Sequence, residues 1–239
     1  MKLEIWSDYV CPFCYIGKKT LEEALEHFPE KDKLEIEFKS FQLDPNTPPY
    51  SGQNYFESMV EKFGSIERAK EMTSGVAEKA KLSGLEFNFE TMKSTNTFDA
   101  HRLMKLAKKH EKDFILSEKI FYAHFTDSKD IGDMDVLADL ADSVGLDNKE
   151  VHEVLQDKER FAIDVDTDIA EARQFGISSV PAFVFDRKYL VSGAQPVEAF
   201  TQALNQIAKD ANPAPAFENL NTNDISEESC GDDGCDISK

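Results

Sequence analysis

The N-terminal part of the chain alternates between hydrophobic and polar residues in two segments that flank a helical pattern. Positions 3–8 and 34–41 alternate residue by residue, which predicts two strands. Between them, hydrophobic residues recur at helical spacing up to Pro29, where a helix must end. A strand, a helix and a second strand are typical of a parallel unit with a right-handed crossover.

The middle of the chain has a helical pattern throughout. Prolines and a glycine interrupt the strand pattern at 45–52, and residues from about 54 to 175 then repeat hydrophobic positions at helical spacing. Asp133 and Asn148 are the expected N-caps of two of these helices, because both side chains accept hydrogen bonds from free backbone N–H groups. We predict no strand and no internal repeat in this stretch.

Strand character returns near the C-terminus. Residues 182–185 and 189–191 predict a hairpin that turns at Arg187 and Lys188, and Pro196 opens a final helix. The order of elements is therefore strand, helix, strand, a block of helices, two strands and a helix. This is the order of a thioredoxin fold with a helical domain inserted in its middle.

The element order predicts an α/β protein with two domains and a tail. We assign residues 1–44 and 176–210 to a thioredoxin-like domain and residues 45–175 to an inserted all-helical domain. Residues 210–239 contain eight acidic residues and one basic residue. This composition predicts an acidic, flexible tail over 211–239.

Composition narrows the classes of function. The chain has 239 residues, of which 41% are hydrophobic, and a net charge of −19. That charge repels phosphate groups and argues against nucleic-acid and membrane partners. No signal peptide and no membrane-spanning run is recognisable, so we predict a cytoplasmic protein. Because cytoplasmic thiols are mostly reduced, four cysteines in two close pairs favour redox or metal chemistry.

The motif Cys11-Pro12-Phe13-Cys14 lies between the first strand and the first helix. Cysteines at this spacing on a helical turn are within reach of a disulfide, and Pro12 suits the first turn because it lacks an N–H. Backbone N–H groups at a helix start stabilise a thiolate, which predicts Cys11 as nucleophile and Cys14 as resolving thiol. A zinc site is the alternative, but a partner pair usually follows within about 20 residues, and the next cysteine is Cys230.

The dipeptide Val180-Pro181 leads directly into the returning strand. In a thioredoxin arrangement this proline is cis and faces the cysteine motif, and the backbone beside it can pair with an extended substrate. We therefore predict that Val180 and Pro181 bind substrate together with Pro12 and Phe13. The alternative is an ordinary turn proline at the first residue of a strand.

Four segments carry a resemblance to a known family. They read SDYVCPFCYIG at 7–17, NTFDAHRL at 96–103, GISSVPAFVF at 176–185 and CGDDGC at 230–235. With these segments the chain resembles the DsbA-like thioredoxin-fold oxidoreductases, and among them the FrnE branch, whose relatives include 2-hydroxychromene-2-carboxylate isomerases and kappa-class glutathione transferases. The resemblance implies a disulfide oxidoreductase with Cys11 as nucleophile, Cys14 as resolving thiol and Pro181 as the cis proline.

Two positions depart from related proteins. The hydroxychromene isomerases have serine where this chain has Cys11, and they use glutathione, so the cysteine favours thiol exchange. Many thioredoxins have a buried carboxylate six residues before the motif, where this chain has Ile5, and Glu4 should point to the other face of the strand. The sequence therefore names no acceptor for the proton of Cys14.

Asn96 and His101 have two interpretations. The family pattern places this segment at a helix start that faces the active site, which makes both residues candidates for substrate binding, with His101 near the Cys11 thiolate. Alternatively, Asn96 or Thr97 only caps the helix and His101 satisfies the junction between the domains.

The second cysteine pair, Cys230 and Cys235, lies in the predicted tail. A disulfide across so short a loop would stabilise the fold by only about 2 kcal/mol, so a structural role explains it poorly. The segment before the pair can extend roughly 70 Å, which is enough to reach the active site. We predict a relay that exchanges with the Cys11–Cys14 disulfide. The alternatives are an inert tail and a four-thiolate metal site formed by both pairs.

The motifs together predict a thiol–disulfide oxidoreductase or isomerase for cysteine-containing proteins. It needs no cofactor beyond its cysteines and exchanges with a cellular thiol reductant or oxidant, with glutathione as a candidate reductant. One alternative is a glutathione-dependent isomerase or transferase for a small aromatic substrate. Another is a metal-binding or chaperone module that uses the two cysteine pairs.

Overall fold

A computed structural model gives the structure of this chain, and it describes residues 1–212. The elements follow the predicted order of strand, helix, strand, helices, hairpin and helix. They are β1 (Lys2–Ser7), α1 (Pro12–Glu26), a short 3-10 helix (Lys31–Lys33), β2 (Glu35–Ser40), α2 (Tyr55–Ser58), α3 (Val60–Phe63), α4 (Ile66–Leu82), α5 (Phe98–Lys109), α6 (Asp113–Phe125), α7 (Met134–Ser143), α8 (Asn148–Gln156), α9 (Ala162–Gln174), β3 (Ala182–Phe185), β4 (Tyr189–Ser192) and α10 (Val197–Ala211).

The strands form a four-stranded mixed sheet with the order β2-β1-β3-β4. β1 and β2 are parallel, with Lys2 opposite Glu35, which confirms the predicted parallel unit. β3 runs antiparallel to β1, with Leu3 opposite Phe185, and β4 runs antiparallel to β3. The fold is thus a thioredoxin fold with an insertion of helices between β2 and β3.

The sheet is covered on both faces. On one face, Leu3 and Ile5 belong to a large hydrophobic core that continues into the inserted helices, while α1 and α10 pack against each other. On the other face, Trp6 packs with Ala172 of α9 in a smaller hydrophobic cluster. The alternation along β1 therefore separates two buried environments, because α9 covers the face that would otherwise meet solvent.

A group of buried charges joins the second face of the sheet to α9. We call Glu4, Glu37, Lys39 and Asp168 the ion cluster. Lys39 Nζ lies 3.2 Å from Asp168 Oδ1, 3.4 Å from Glu37 Oε1 and 3.8 Å from Glu4 Oε1. Arg187 in the turn before β4 completes the pairing, with its guanidinium 2.6 Å from Glu4. These contacts fix the inserted helices to the sheet.

The helix caps test two predictions from the sequence. Asp133 caps α7, since its side chain accepts hydrogen bonds from the N–H groups of Asp135 and Val136, as predicted. The prediction for the next helix is wrong by one position: Asp147 is the N-cap of α8 and accepts from Glu150 N, while Asn148 is already helical. Asp and Asn cap equally well, so their order alone does not decide which of two neighbours starts a helix.

Candidate active site

The two cysteines of the motif lie at the start of α1. Cys11 is the N-cap, with an extended backbone (φ −89°, ψ 111°), and Pro12 is the first helical residue. The Cys11 N–H donates to the Asp8 carbonyl at 3.0 Å, and the Cys11 carbonyl accepts from Cys14 N–H at 3.0 Å. Both thiols are buried, with Cys11 4% and Cys14 2% exposed. The turn thus holds the two side chains on the same side of the helix start.

The local environment separates the two thiols in acidity. A hydrogen bond from the Cys14 side chain lowers the pKa of Cys11 below its usual value, and backbone N–H groups of Cys14 and Phe13 lower it further, against the effects of burial and the Asp8 charge. Burial raises the pKa of Cys14 well above its usual value, and the neighbouring Cys11 raises it further. Cys11 is therefore the thiol that ionises first, which suits a nucleophile.

The loop before β3 faces Cys11. The peptide bond between Val180 and Pro181 is cis, as the resemblance implies. The Cys11 thiol lies 3.7 Å from the Val180 carbonyl oxygen, to which it can donate. The Pro181 carbonyl accepts from Gly193 N–H at 2.8 Å, which ties this loop to the end of β4. Val180 therefore presents its backbone directly beside the Cys11 sulfur.

Gly17 allows this close approach of α1 to the loop and to β3. A Cβ atom at this position would lie 3.0 Å from Cζ of Phe183 and 3.2 Å from Cγ of Pro181. A side chain here would push the helix away from the cis proline. Gly17 therefore lets α1 pack closely enough against this loop to bring Cys11 and Pro181 together.

The rim of the site consists of partly buried hydrophobic residues. Pro12, Phe13 and Val180 are each half-buried, whereas Pro181 is buried. The ring of Phe13 lies under the ammonium group of Lys79 on α4, at 5.6 Å from its centroid. The inserted helices therefore border the cysteine motif on this side.

Asn96 connects two segments instead of pointing freely into the site. Its Oδ1 accepts from Phe98 N–H at 2.8 Å, while the side chain of Thr97, the N-cap residue of α5, makes no capping bond. Its Nδ2 donates to the carbonyls of Pro45 at 3.1 Å and Thr47 at 2.9 Å. Asn96 thus caps α5 and holds the loop after β2 against the start of that helix.

His101 lies inside the molecule on α5. It is 2% exposed, its ring is 4.9 Å from that of Tyr9, and its Nε2 is 3.6 Å from Oδ1 of Asp8. The structure therefore places His101 beside the Asp8 carboxylate.

Sequence reasoning missed three polar residues around the motif: Ser7, Asp8 and His124. All three are buried, and a hydrogen bond from the Ser7 side chain favours the Cys14 thiolate. Ser7 and Asp8 could have been found from the sequence, because they are two polar residues that directly follow a hydrophobic strand and precede the cysteine motif. Ile5 and Glu4 are both buried, and Glu4 belongs to the ion cluster on the other sheet face, as expected.

Some predictions concern residues outside the described part of the chain. Cys230 and Cys235 lie beyond residue 212, so the relay and the four-thiolate metal site stay predictions. Within residues 1–212, no group of three or more His, Cys, Asp or Glu side chains is arranged to hold a metal ion. Over the same range, no helix is both long and apolar enough to cross a membrane.

A comparison with known protein families agrees with the paired cysteines, the cis proline and the helical insertion, and it covers most of the chain. Residues 2–205 match the DSBA-like thioredoxin domain family. The chain belongs to this family. The solved structure of the probable DsbA oxidoreductase SCO1869 from Streptomyces coelicolor is 38% identical, with a TM-score of 0.82 and full coverage of both chains.

Two further relatives of this DSBA-like protein are more distant. The uncharacterized protein YwbO of Bacillus subtilis is 28% identical over 213 residues, which cover 87% of this chain and 97% of YwbO. The cytosolic disulfide reductase DsbM of Pseudomonas aeruginosa, solved with GSH, is 14% identical with a TM-score of 0.61, and the match covers 88% of this chain and 99% of DsbM. At that identity the DsbM match shows a common fold.

Proposed function

We propose that this DSBA-like protein is a thiol–disulfide oxidoreductase that acts on cysteine-containing proteins. The observation that carries the proposal is the environment of Cys11. Its sulfur lies at a helix start, its pKa is lowered by Cys14 and by backbone N–H groups, and the Val180 carbonyl lies 3.7 Å away. A nucleophilic thiolate beside the backbone of a half-buried loop residue is what exchange with an extended protein segment needs.

The proposed reaction has two steps. The Cys11 thiolate attacks one sulfur of a substrate disulfide, a bond forms between these sulfurs, and the other substrate sulfur leaves as a thiolate. Cys14 then loses its proton and attacks the Cys11 sulfur, which releases the second substrate thiolate and leaves a Cys11–Cys14 disulfide. Two electrons have passed to the substrate, and a thiol reductant returns the enzyme to its dithiol form. Oxidation of a substrate dithiol is the same sequence in reverse.

Several finer features belong to the same proposal. The substrate would lie along Val180 and over Pro12 and Phe13, which are half-buried. Glutathione is the candidate reductant, and DsbM, a cytosolic disulfide reductase of the same fold, was solved with GSH. We also propose a cytoplasmic location and membership of the FrnE branch.

Reduction of insulin by the purified protein in the presence of glutathione tests the main proposal. We expect the wild type to reduce insulin and Cys11→Ser not to. If the wild type turns over no protein disulfide, the proposed function is rejected. Reactivation of scrambled ribonuclease separates an isomerase from a simple reductase. Turnover of a hydroxychromene-type substrate with glutathione, without insulin reduction, would favour the isomerase or transferase alternative. The equilibrium of the Cys11–Cys14 couple against glutathione gives the direction of exchange.

We further propose that Cys230 and Cys235 act as a relay that exchanges with the Cys11–Cys14 disulfide. Replacing Cys230 and Cys235 together by serine should slow turnover of a protein disulfide while the first attack by Cys11 keeps its rate. Unchanged turnover would reject the relay. Stoichiometric zinc in protein purified without chelator would favour the four-thiolate metal site instead, and client protection that survives Cys11→Ser would favour a chaperone module.

A further inference from the structure

The buried thiol of Cys14 must lose its proton before it can attack the mixed disulfide. Cys14 is 2% exposed, and burial raises its pKa well above the usual value of a thiol. Ile5, six residues before the motif, has no ionisable group to accept this proton. Because bulk water does not reach the thiol directly, a neighbouring group has to hold the proton during the step.

Asp8 and His101 form a buried pair directly behind the motif. The Asp8 carboxylate is 1% exposed, and its Oδ2 accepts from Leu43 N–H at 2.7 Å. Its Oδ1 lies 3.6 Å from Nε2 of His101. Among the residues that the structure describes, neither of these two atoms has a hydrogen-bond partner. The pair therefore has free capacity for one more proton.

The backbone of Asp8 is also in contact with the cysteine motif. Asp8 accepts the Cys11 N–H through its backbone carbonyl, and its own backbone hydrogen bond favours the Cys14 thiolate. The charge of the Asp8 carboxylate acts on the Cys11 thiolate and disfavours it. The Asp8 carboxylate thus interacts electrostatically with the Cys11 thiolate, and the Asp8 backbone interacts with Cys14, in a water-poor interior.

The other groups that face Asp8 add little positive charge. Tyr9 packs its ring against His101, and burial raises its pKa well above the usual value. His124 on α6 is fully buried, and burial lowers its pKa to about 4, although the Asp8 charge opposes this effect. Asp113, Asp8 and Asp168 all act electrostatically on Tyr9. Among the described residues, no lysine or arginine side chain forms an ion pair with the Asp8 carboxylate, and His101 is its nearest ionisable partner.

We propose that Asp8, oriented by His101, holds the proton that Cys14 gives up in the resolving step. The S–H bond of Cys14 breaks, its electron pair forms a bond to the Cys11 sulfur, and the bond from Cys11 to the substrate sulfur breaks. The substrate sulfur leaves as a thiolate. The proton stays on Oδ1 of Asp8, within reach of Nε2 of His101, until it passes to the leaving thiolate or to solvent. This inference rests on the proposed disulfide exchange.

A single turnover with a chromogenic aromatic disulfide separates the two steps. The reduced protein releases a first coloured thiolate when Cys11 attacks and a second one when Cys14 resolves the mixed disulfide. In Asp8→Asn, which can still accept from Leu43 N–H, we expect the second release to slow by about tenfold or more. We expect the first release to become faster at mildly acidic pH, because the negative charge that opposes the Cys11 thiolate is gone. Structural damage would slow both releases.

A matched control uses Asp168, a buried carboxylate of the ion cluster. Asp168→Asn removes a charge of the ion cluster and should leave the ratio of the two releases unchanged. In His101→Gln the second release should slow less than in Asp8→Asn, because the carboxylate remains. If Asp8→Asn does not fold, as judged by circular dichroism, a selective slowing of the second release in His101→Gln carries the test.

The outcomes separate this inference from the proposed function. The proton-holding role of Asp8 is overturned if the folded Asp8→Asn protein shows a second release with the wild-type rate and the wild-type dependence on pH. A wild-type protein that releases no first thiolate overturns disulfide exchange itself.

Discussion

Two groups of buried charges lie at the junction of the sheet and the inserted helices, and they differ in how completely their polar atoms are hydrogen-bonded. In the ion cluster, Lys39 lies between 3.1 and 3.8 Å from the carboxylates of Glu4, Glu37, Asp168 and the adjacent Glu171. Behind the cysteine motif, Oδ1 of Asp8 and Nε2 of His101 lie 3.6 Å apart, and neither has a hydrogen-bond partner within residues 1–212.

The difference separates a structural role from a chemical one. Removing charges from water is unfavourable at both places, and pairing compensates for it more completely in the ion cluster. A fully paired cluster resists any change in protonation, which suits a junction between α9 and the sheet. A group with a free lone pair next to two thiols can change its protonation during a reaction. Variants of each region should therefore affect different measurements.

Removal of the reactive sulfur should have the largest effect. Cys11→Ser should lower the rate of insulin reduction by at least about a thousandfold, because a hydroxyl does not ionise near neutral pH. Its free energy of unfolding should stay close to the wild-type value. Cys14→Ser is the matched control and should instead accumulate a mixed disulfide with substrate, visible by mass spectrometry. Reduction of insulin by Cys11→Ser would contradict the assignment of the nucleophile.

Loss of one carboxylate from the ion cluster should affect stability and not chemistry. Asp168 accepts from Ser40 N–H at 2.7 Å and pairs with Lys39 and Lys105. Asp168→Ala removes the acceptor of the Ser40 N–H and the ion-pair partner of Lys105, while Lys39 keeps its other carboxylates. It should lower the free energy of unfolding by about 3 kcal/mol. Urea unfolding measures the loss.

The exposed pair of Lys188 and Asp210 serves as the control for that variant. Their side chains lie 3.3 Å apart, and Asp210→Ala should lower the free energy of unfolding much less than Asp168→Ala, because solvent screens the pair. Activity per folded molecule of Asp168→Ala at low temperature should match the wild type. If Asp168→Ala lost activity without losing stability, the ion cluster could no longer be distinguished from the surroundings of Asp8 by its structural role.

The acidity of Cys11 should depend on its partner in the motif. Cys14→Ala removes the hydrogen bond that contributes most to lowering the pKa of Cys11, so this pKa should rise. The rate of alkylation of Cys11 against pH measures the shift, and alkylation near neutral pH should slow. Cys14→Ser keeps a hydroxyl donor and should show a smaller rise. Equal profiles in the wild type and Cys14→Ala would show that the helix start alone sets this acidity.

The smallest expected effect is a change in the pH dependence of stability. Burial alone would raise the pKa of Glu37, but Lys108 and Lys2 outweigh it and lower the pKa to about 2. Since this folded-state pKa lies below the unfolded value, the stabilisation is complete above the unfolded pKa and disappears as pH falls toward about 2. The stability difference between the wild type and Glu37→Gln should therefore shrink between neutral pH and about pH 3.

Urea unfolding at both pH values checks this dependence. Glu35→Gln changes a carboxylate in the same strand whose side chain is 63% exposed, and it should show a small difference that varies little with pH. A Glu37→Gln difference that is equally large at both pH values would mean that the ion cluster does not hold Glu37 in its charged form.

Local patterns were sufficient for most of the fold. Alternation located β1 and β2, helical spacing located the inserted helices, and Pro12 placed Cys11 at a helix start. The N-cap of α8 was predicted at Asn148 and lies at Asp147, because two adjacent residues with equal capping ability leave the boundary undetermined. The division into domains remains a prediction.

The residues around the motif were harder to predict because their partners are distant in sequence. Asn96 binds carbonyls about 50 positions earlier, at Pro45 and Thr47, and so acts at a junction that its own helix pattern does not reveal. Nothing in the periodicity of α5 shows that His101 faces Asp8, since the helix presents several buried positions to different neighbours.

The sequence by itself determined the order of the elements, the cysteine pair at the start of a helix and the membership of the DSBA-like family, because these depend on residue types at short spacing. Only the tertiary structure decided which buried charges are paired and which are not. Oδ1 of Asp8 has no hydrogen-bond partner among the described residues, although His101 lies 3.6 Å away, and such an arrangement depends on packing over the whole chain.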